Sequence, residues 1–182
     1  DLPSFDDAML RRGKSTLHRV YGEGLAILAS VYNYHLVLSL ISKSDLPESN
    51  RTRLTFDYFP NLVDEMIAGQ AKDILSKGKI MTPEQILQMY KQKSGALYGF
   101  SAVAGGIVGQ ANVVELEHLA RYGRGMGTAY QVLDDILDIE AKPEEIGKDI
   151  HQDIDKPTLP SVIGIDASRE KAKELMQKAK YA

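Results

Sequence analysis

The sequence predicts an all-α protein. Three observations carry that prediction. Apolar residues recur at helical spacing along most of the chain. The recognisable start signals are helix caps. No pair of alternating apolar and polar runs is present that would make a β-hairpin. With 182 residues, 43% of them hydrophobic, the chain is long enough to bury one sizeable core.

The elements follow in order. A first helix is expected from about Leu17 to Ile41, with Val20, Leu25, Leu28, Val31, Leu36 and Leu40 as its apolar positions. Ser42–Asp45 breaks it, and Pro47 suits the first turn of the next helix. That helix should reach about Ile74, kinked or broken near Pro60, with Gly78 marking a turn. Thr82-Pro83-Glu84-Gln85 is the clearest start: Thr82 caps, Pro83 fits the first position, and Gln85 reaches back. This helix runs to Lys93-Ser94-Gly95, where a kink is expected. The small residues from Ser101 to Gly106 then predict close helix packing or a helix end near Gly109. Asn112 to Glu115 reads as the cap of a long helix to about Ile139. A polar loop spans Ala141 to Pro157, Pro160 precedes a short apolar piece, and Asp166 caps a last helix. Without repeats, low-complexity tracts or linkers, residues 1–182 read as one all-helical domain.

Composition narrows the function classes. A net charge of −3 gives no general pull toward nucleic acid or an anionic membrane. The absence of cysteine excludes disulfides and thiolate metal sites. No apolar run reaches the ~18 residues of a spanning helix, and the first residues do not resemble a signal peptide. A cytoplasmic protein without a membrane span is the default reading.

Chemistry is suggested first by Gln131-Val132-Leu133-Asp134-Asp135-Ile136-Leu137-Asp138. On a helix Asp134 and Asp138 share a face, ~6 Å apart along the axis, with Gln131 on the same side. The apolar residues between them want burial, so basic side chains or a metal must answer the carboxylates. Hard oxygen ligands of this kind suit magnesium, which takes one or two carboxylates plus substrate phosphates. A solvated acidic face is the competing reading of this octapeptide alone. Asp1, Asp6 and Asp7, followed by Arg11-Arg12, read by themselves as surface ion pairs, although the layout also fits a site for a metal-chelated diphosphate. Lys93, Lys148 and Lys156, each a surface lysine by itself, complete an informative order: acids, Arg-Arg, Lys, acids, then two Lys.

Taken together these segments resemble the trans-type (head-to-tail) polyprenyl diphosphate synthases, the family of farnesyl and geranylgeranyl diphosphate synthases. Asp1-Leu2-Pro3-Ser4-Phe5-Asp6 with Leu10-Arg11-Arg12-Gly13 is similar to the first aspartate-rich motif, and Gly69-Gln70 with Asp73 to the Gly-Gln segment. Lys93-Ser94-Gly95-Ala96 is similar to the Lys-Thr segment. Tyr130-Gln131 with Asp134 to Asp138 resembles the second aspartate-rich motif. Gly147-Lys148 and Lys156-Pro157-Thr158-Leu159-Pro160 resemble the closing lysine loop.

The resemblance implies a single-domain helical bundle of the isoprenoid synthase type around a central cavity, with the family's N-terminal helices and C-terminal end outside this sequence. It implies that isopentenyl diphosphate is condensed with an allylic diphosphate (dimethylallyl, geranyl or farnesyl) to a C15–C20 all-trans product and pyrophosphate. Asp1, Asp6, Asp134 and Asp138 would hold Mg2+, with Mn2+ as the alternative ion. Arg11 would bind the allylic diphosphate and Arg12 that of isopentenyl diphosphate. Lys93, Lys148 and Lys156 would receive the departing pyrophosphate, while Gln131 and the Ser94 backbone would face the allylic cation. A homodimer is implied as well. Two other readings compete: a non-catalytic subunit of such a synthase, to which Ser30-Val31 and the shortened lysine loop point, and a class I terpene cyclase, which Arg11-Arg12 and Lys156-Pro157-Thr158 oppose.

Overall fold

A computed structural model describes residues 2–140 and 156–181. Among these the protein is helical apart from one two-residue strand pair. The described residues belong to two compact units. One comprises residues 2–45 with 137–140, the other residues 46–136 with 156–181.

The first unit opens with β1 (Leu10–Arg11) and β2 (Lys14–Ser15), paired antiparallel with Leu10 opposite Ser15. Arg12 and Gly13 form the turn with φ of 53° and 71°, the paired left-handed conformation of a tight hairpin. The expectation of no hairpin is therefore corrected. Strands of two residues are too short to carry an alternating pattern, and the Arg-Gly turn was the only signal. Thr16 ties the hairpin down, its Oγ1 donating to the Ala8 carbonyl at 2.8 Å.

The predicted first helix is two helices: α1 (Leu17–Tyr21) and α2 (Glu23–Lys43). Gly22, at φ 82°, separates them. The apolar spacing continues across the break, so periodicity alone did not show it. A second correction concerns α2 itself. It is long and apolar enough to cross a membrane by length and composition. Of its residues only Ala26 is buried, while Leu25, Leu28, Val31, Tyr32 and Leu40 are exposed.

The second unit starts with α3 (Glu48–Thr52), a π-helical stretch Arg53–Tyr58, and α4 (Phe59–Leu75). The predicted break near Pro60 takes this form: the wide turn precedes the proline, which occupies the first turn of α4. Helix α5 (Pro83–Tyr90) starts with the predicted capping box, Gln85 N–H donating to Thr82 Oγ1 at 3.3 Å and Thr82 N–H to Gln85 Oε1 at 2.9 Å. The kink expected at Lys93-Ser94-Gly95 is a second π-turn, Lys91–Gly95, leading into α6 (Ala96–Val108). Asn112 and Glu115 form the box that starts α7 (Val113–Glu140).

After residue 155 come α8 (Leu159–Ile163) and α9 (Ile165–Lys180). Pro160 lies inside α8, whose cap is Thr158, and Asp166 lies in the first turn of α9 rather than at its cap, which is Gly164. The core of this unit is formed by Ile86, Met89, Tyr90, Val132, Ile136, Leu159 and Ala172, from α5, α7, α8 and α9.

Candidate functional site

The second unit brings together side chains from segments far apart in the chain. Asp73 of α4 is buried, with 6% of its surface exposed. A buried carboxylate is costly unless charges and hydrogen bonds answer it. Lys93 Nζ donates to its Oδ2 at 2.9 Å, Gln70 Nε2 donates to the same oxygen at 3.3 Å, and Lys156 Nζ lies 3.6 Å away. Two of the three lysines picked out in the sequence therefore share one counterion.

The π-turn Lys91–Gly95 sets Lys93 and Ser94, and π-turns inside helices recur at functional sites. Two glycines let neighbouring helices close on it. A Cβ on Gly69 of α4 would stand 2.8 Å from Lys93 Cα, and one on Gly127 of α7 would stand 2.9 Å from the Ser94 carbonyl oxygen. The glycine of the Gly69-Gln70 segment is thus explained by a close approach of backbones.

A chain of hydrogen bonds leaves the same turn. Ser94 Oγ donates to Gln131 Oε1 at 2.7 Å, and Gln131 Nε2 donates to Asp135 Oδ1 at 3.0 Å. Tyr90 donates a short hydrogen bond to Asp135 Oδ2 and accepts one from Leu159 N–H at 3.0 Å. Asp134, the neighbour of Asp135, is only partly buried. Tyr98 and Tyr130 pair beside it, their ring centroids 5.6 Å apart. Burial, then Tyr130, then Asp134 hold the Tyr98 hydroxyl above its ordinary pKa. Asp138 is buried on the last turn of α7.

In the first unit Asp6 is half-buried, Arg11 lies on β1 and Arg12 in the hairpin turn, both exposed. Nearby, His18 is buried with Nε2 3.9 Å from Asp7 Oδ1. Asp1 and Lys148 lie outside the described residues.

Sequence reading missed three contributors. Asp73 was visible only as the acid after Gly69-Gln70 and Asp135 as a neighbour of Asp134, while Tyr90 was not singled out. Their partners lie 20, 69 and 45 residues away along the chain, beyond any local pattern.

Among the described residues no three acidic or histidine side chains converge to hold a metal by themselves. The available donors are carboxylate oxygens, which suit magnesium held jointly by one or two carboxylates and by phosphate oxygens.

Known proteins align with the chain over nearly its whole length. The polyprenyl synthetase family profile matches residues 1–181. The farnesyl diphosphate synthase of Geobacillus stearothermophilus is 36% identical over 178 residues, covering 94% of this chain and 60% of that enzyme. The chloroplastic geranylgeranyl pyrophosphate synthase of Capsicum annuum is also 36% identical, over 99% of this chain and 50% of its own length. The crystal structure of geranyltransferase from Helicobacter pylori, complexed with magnesium and isoprenyl diphosphate, superimposes with a TM-score of 0.87 at 28% identity, covering 98% of this chain and 60% of that one. The chain thus spans about half to three-fifths of the length of the curated relatives it matches.

Proposed function

The chain belongs to the polyprenyl synthetase family, and from that premise we propose that the protein carrying it is a prenyltransferase that condenses isopentenyl diphosphate with an allylic diphosphate. The product is a short-chain all-trans prenyl diphosphate of the C15–C20 class, in keeping with the farnesyl and geranylgeranyl synthases it resembles. The observation that carries the reading is the pairing of Lys93 and Lys156 at the Asp73 carboxylate. Two cations gathered at one carboxylate support the reading that an anionic leaving group is received there.

The chemistry explains the residue types. Breaking the allylic carbon–oxygen bond develops positive charge on carbon and negative charge on pyrophosphate. Lys93, Lys156 and Lys148 act as fixed cations that stabilise the departing pyrophosphate, since preoriented charge lowers the barrier most where charge develops. Asp1, Asp6, Asp134 and Asp138 are the residues that would hold magnesium. Bound there, the ion supplies Lewis-acid neutralisation of the diphosphate. Arg11 pairs with the allylic diphosphate and Arg12 with that of isopentenyl diphosphate, the planar guanidinium being suited to two phosphate oxygens at once. Gln131 and the Ser94 backbone face the allylic carbon, and Gln131 is held for that by Ser94 and Asp135. The new carbon–carbon bond forms from the isopentenyl double bond. The proton it releases goes to pyrophosphate, so no histidine is assigned a role.

The same reading makes the protein a cytoplasmic homodimer. The apolar surface of α2, with Leu28 and Leu40 each 63% exposed, supports helix–helix contact with a second copy.

The test is incubation of the full-length protein with labelled isopentenyl diphosphate, an allylic diphosphate and magnesium. A labelled prenyl diphosphate that needs both substrates is expected. No product at saturating substrate would assign the chain to a non-catalytic subunit. A hydrocarbon formed from the allylic diphosphate alone would assign it to a cyclase.

A further inference from the structure

Tyr90 is 3% exposed and ends α5, immediately before the π-turn that carries Lys93 and Ser94. Its hydroxyl is used twice. It donates to Asp135 Oδ2 on α7 and accepts the N–H of Leu159, the first residue of α8. Both partners are buried, Asp135 at 4% and Leu159 at 0% exposure.

The second bond completes the start of α8. The first turn of a helix leaves backbone N–H groups without partners inside the helix. Here Ser161 N–H goes to Thr158 Oγ1 at 3.3 Å, Pro160 has no N–H, and Leu159 N–H goes to Tyr90. Donating to a carboxylate makes the phenol oxygen a better acceptor, so the two bonds reinforce each other. Lys156 precedes Leu159 by three residues, and its Nζ lies beside Asp73. The other oxygen of Asp135 receives Gln131. One hydroxyl therefore joins the segment bearing Lys156 to the helix bearing Gln131 and Asp134.

We propose that Tyr90 is a positioning residue: its hydroxyl clasps the start of α8 to Asp135 and so fixes Lys156 against the helix that carries Gln131 and Asp134. Removing the hydroxyl frees the start of α8 and lets Lys156 drift, which slows the step in which pyrophosphate departs more than it weakens substrate binding. The kinetic part of this inference rests on the prenyltransferase reading, whereas the clasp itself does not.

The experiment uses the full-length protein and Tyr90→Phe, which keeps the ring and its volume. Amide exchange followed residue by residue should show Leu159 strongly protected in the unaltered protein. In Tyr90→Phe, exchange at Leu159 and Ser161 should quicken by about tenfold or more, while α6 is unchanged. Steady-state condensation should show kcat lower by about 10- to 100-fold with KM for both substrates within about threefold. In a Lys156→Ala background the same substitution should cost little further, because the clasp acts through that lysine.

Rapid exchange at Leu159 in the unaltered protein would overturn the clasp, and this holds even if Tyr90→Phe does not fold. Unchanged exchange in Tyr90→Phe would overturn it too. A KM effect with unchanged kcat, or independent losses in the double variant, would overturn the positioning role. A protein with no condensation activity would sink the functional reading instead and leave the exchange measurement to decide the clasp.

Discussion

Lys93 Nζ lies 2.9 Å from Asp73 Oδ2, joining the π-turn after α5 to a buried carboxylate in the last turn of α4. Lys156 approaches the same oxygen at 3.6 Å. The carboxylate lies within ion-pair distance of both ammonium groups and offsets their mutual repulsion. Asp73→Asn is therefore expected to lower unfolding free energy by about 1–3 kcal/mol, less than for a fully buried pair because Lys93 keeps 27% of its side chain exposed. Condensation should slow by about tenfold or more as the lysines separate. Denaturant unfolding and steady-state rates check the two parts.

A glycine contrast isolates the close approach at the π-turn. Gly69→Ala puts a methyl against the Lys93 backbone and 2.8 Å from Gln92 C. Backbone cannot yield as a flexible side chain can, so a loss of about 1–3 kcal/mol is expected, together with reduced activity as Lys93 moves. Gly105→Ala, inside α6 with nothing within 4 Å of the new methyl, should be neutral or stabilise by up to about 1 kcal/mol. Thermal unfolding of the two variants should move in opposite directions or differ clearly in size.

Acid stability has an identifiable contributor. Arg124 grips Glu65 with its two terminal guanidinium nitrogens, Nη2 at 2.7 Å from Oε1 and Nη1 on Oε2. The hydrogen bond from Arg124 is the largest influence on Glu65; burial opposes it, the charges of Arg124 and Lys91 add to it, and the carboxyl is held below its ordinary pKa of 4.5. A depressed folded-state pKa means this stabilisation is present above pH 4.5 and lost as pH falls through the lower folded-state value. Both side chains are about one-third exposed, so solvent screening limits the effect to about 1 kcal/mol. Glu65→Gln should accordingly be less stable than the parent at neutral pH, with the difference shrinking below pH 4.5 in pH-dependent unfolding.

Much of this architecture was readable because its signals are local. Thr82 with Gln85 and Asn112 with Glu115 each lie within four residues and announce their helices. The kink at Lys93-Ser94-Gly95 was legible from the small residues there. Less local features were hidden. Gly22 interrupts an apolar series that runs on unchanged, and Arg12-Gly13 makes a hairpin too short for any alternation to show. The membrane-length character of α2 was overlooked because its apolar residues are interspersed with Ser, Asn, Tyr and His. In the candidate site, the residues named from motifs were the ones whose chemistry is visible by type: paired acids, arginines and lysines. Asp73, Tyr90 and Asp135 act through partners brought close only by folding.

The surface of α2 offers a further check. If its exposed apolar residues pack against a second copy, Leu28→Asp with Leu40→Asp should shift the full-length protein from dimer to monomer in sedimentation, because each substitution would place a charge in an apolar contact. Retention in the membrane fraction of the unaltered protein would instead favour insertion of this helix in a bilayer.

The most direct test is the magnesium dependence of condensation in the full-length protein and in Asp134→Asn. The account predicts product only with the ion present, and a fall of about 100-fold or more in kcat/KM when Asp134 loses its charge. Undiminished product formation in the presence of a chelator, or an Asp134→Asn protein as fast as the parent, would contradict it.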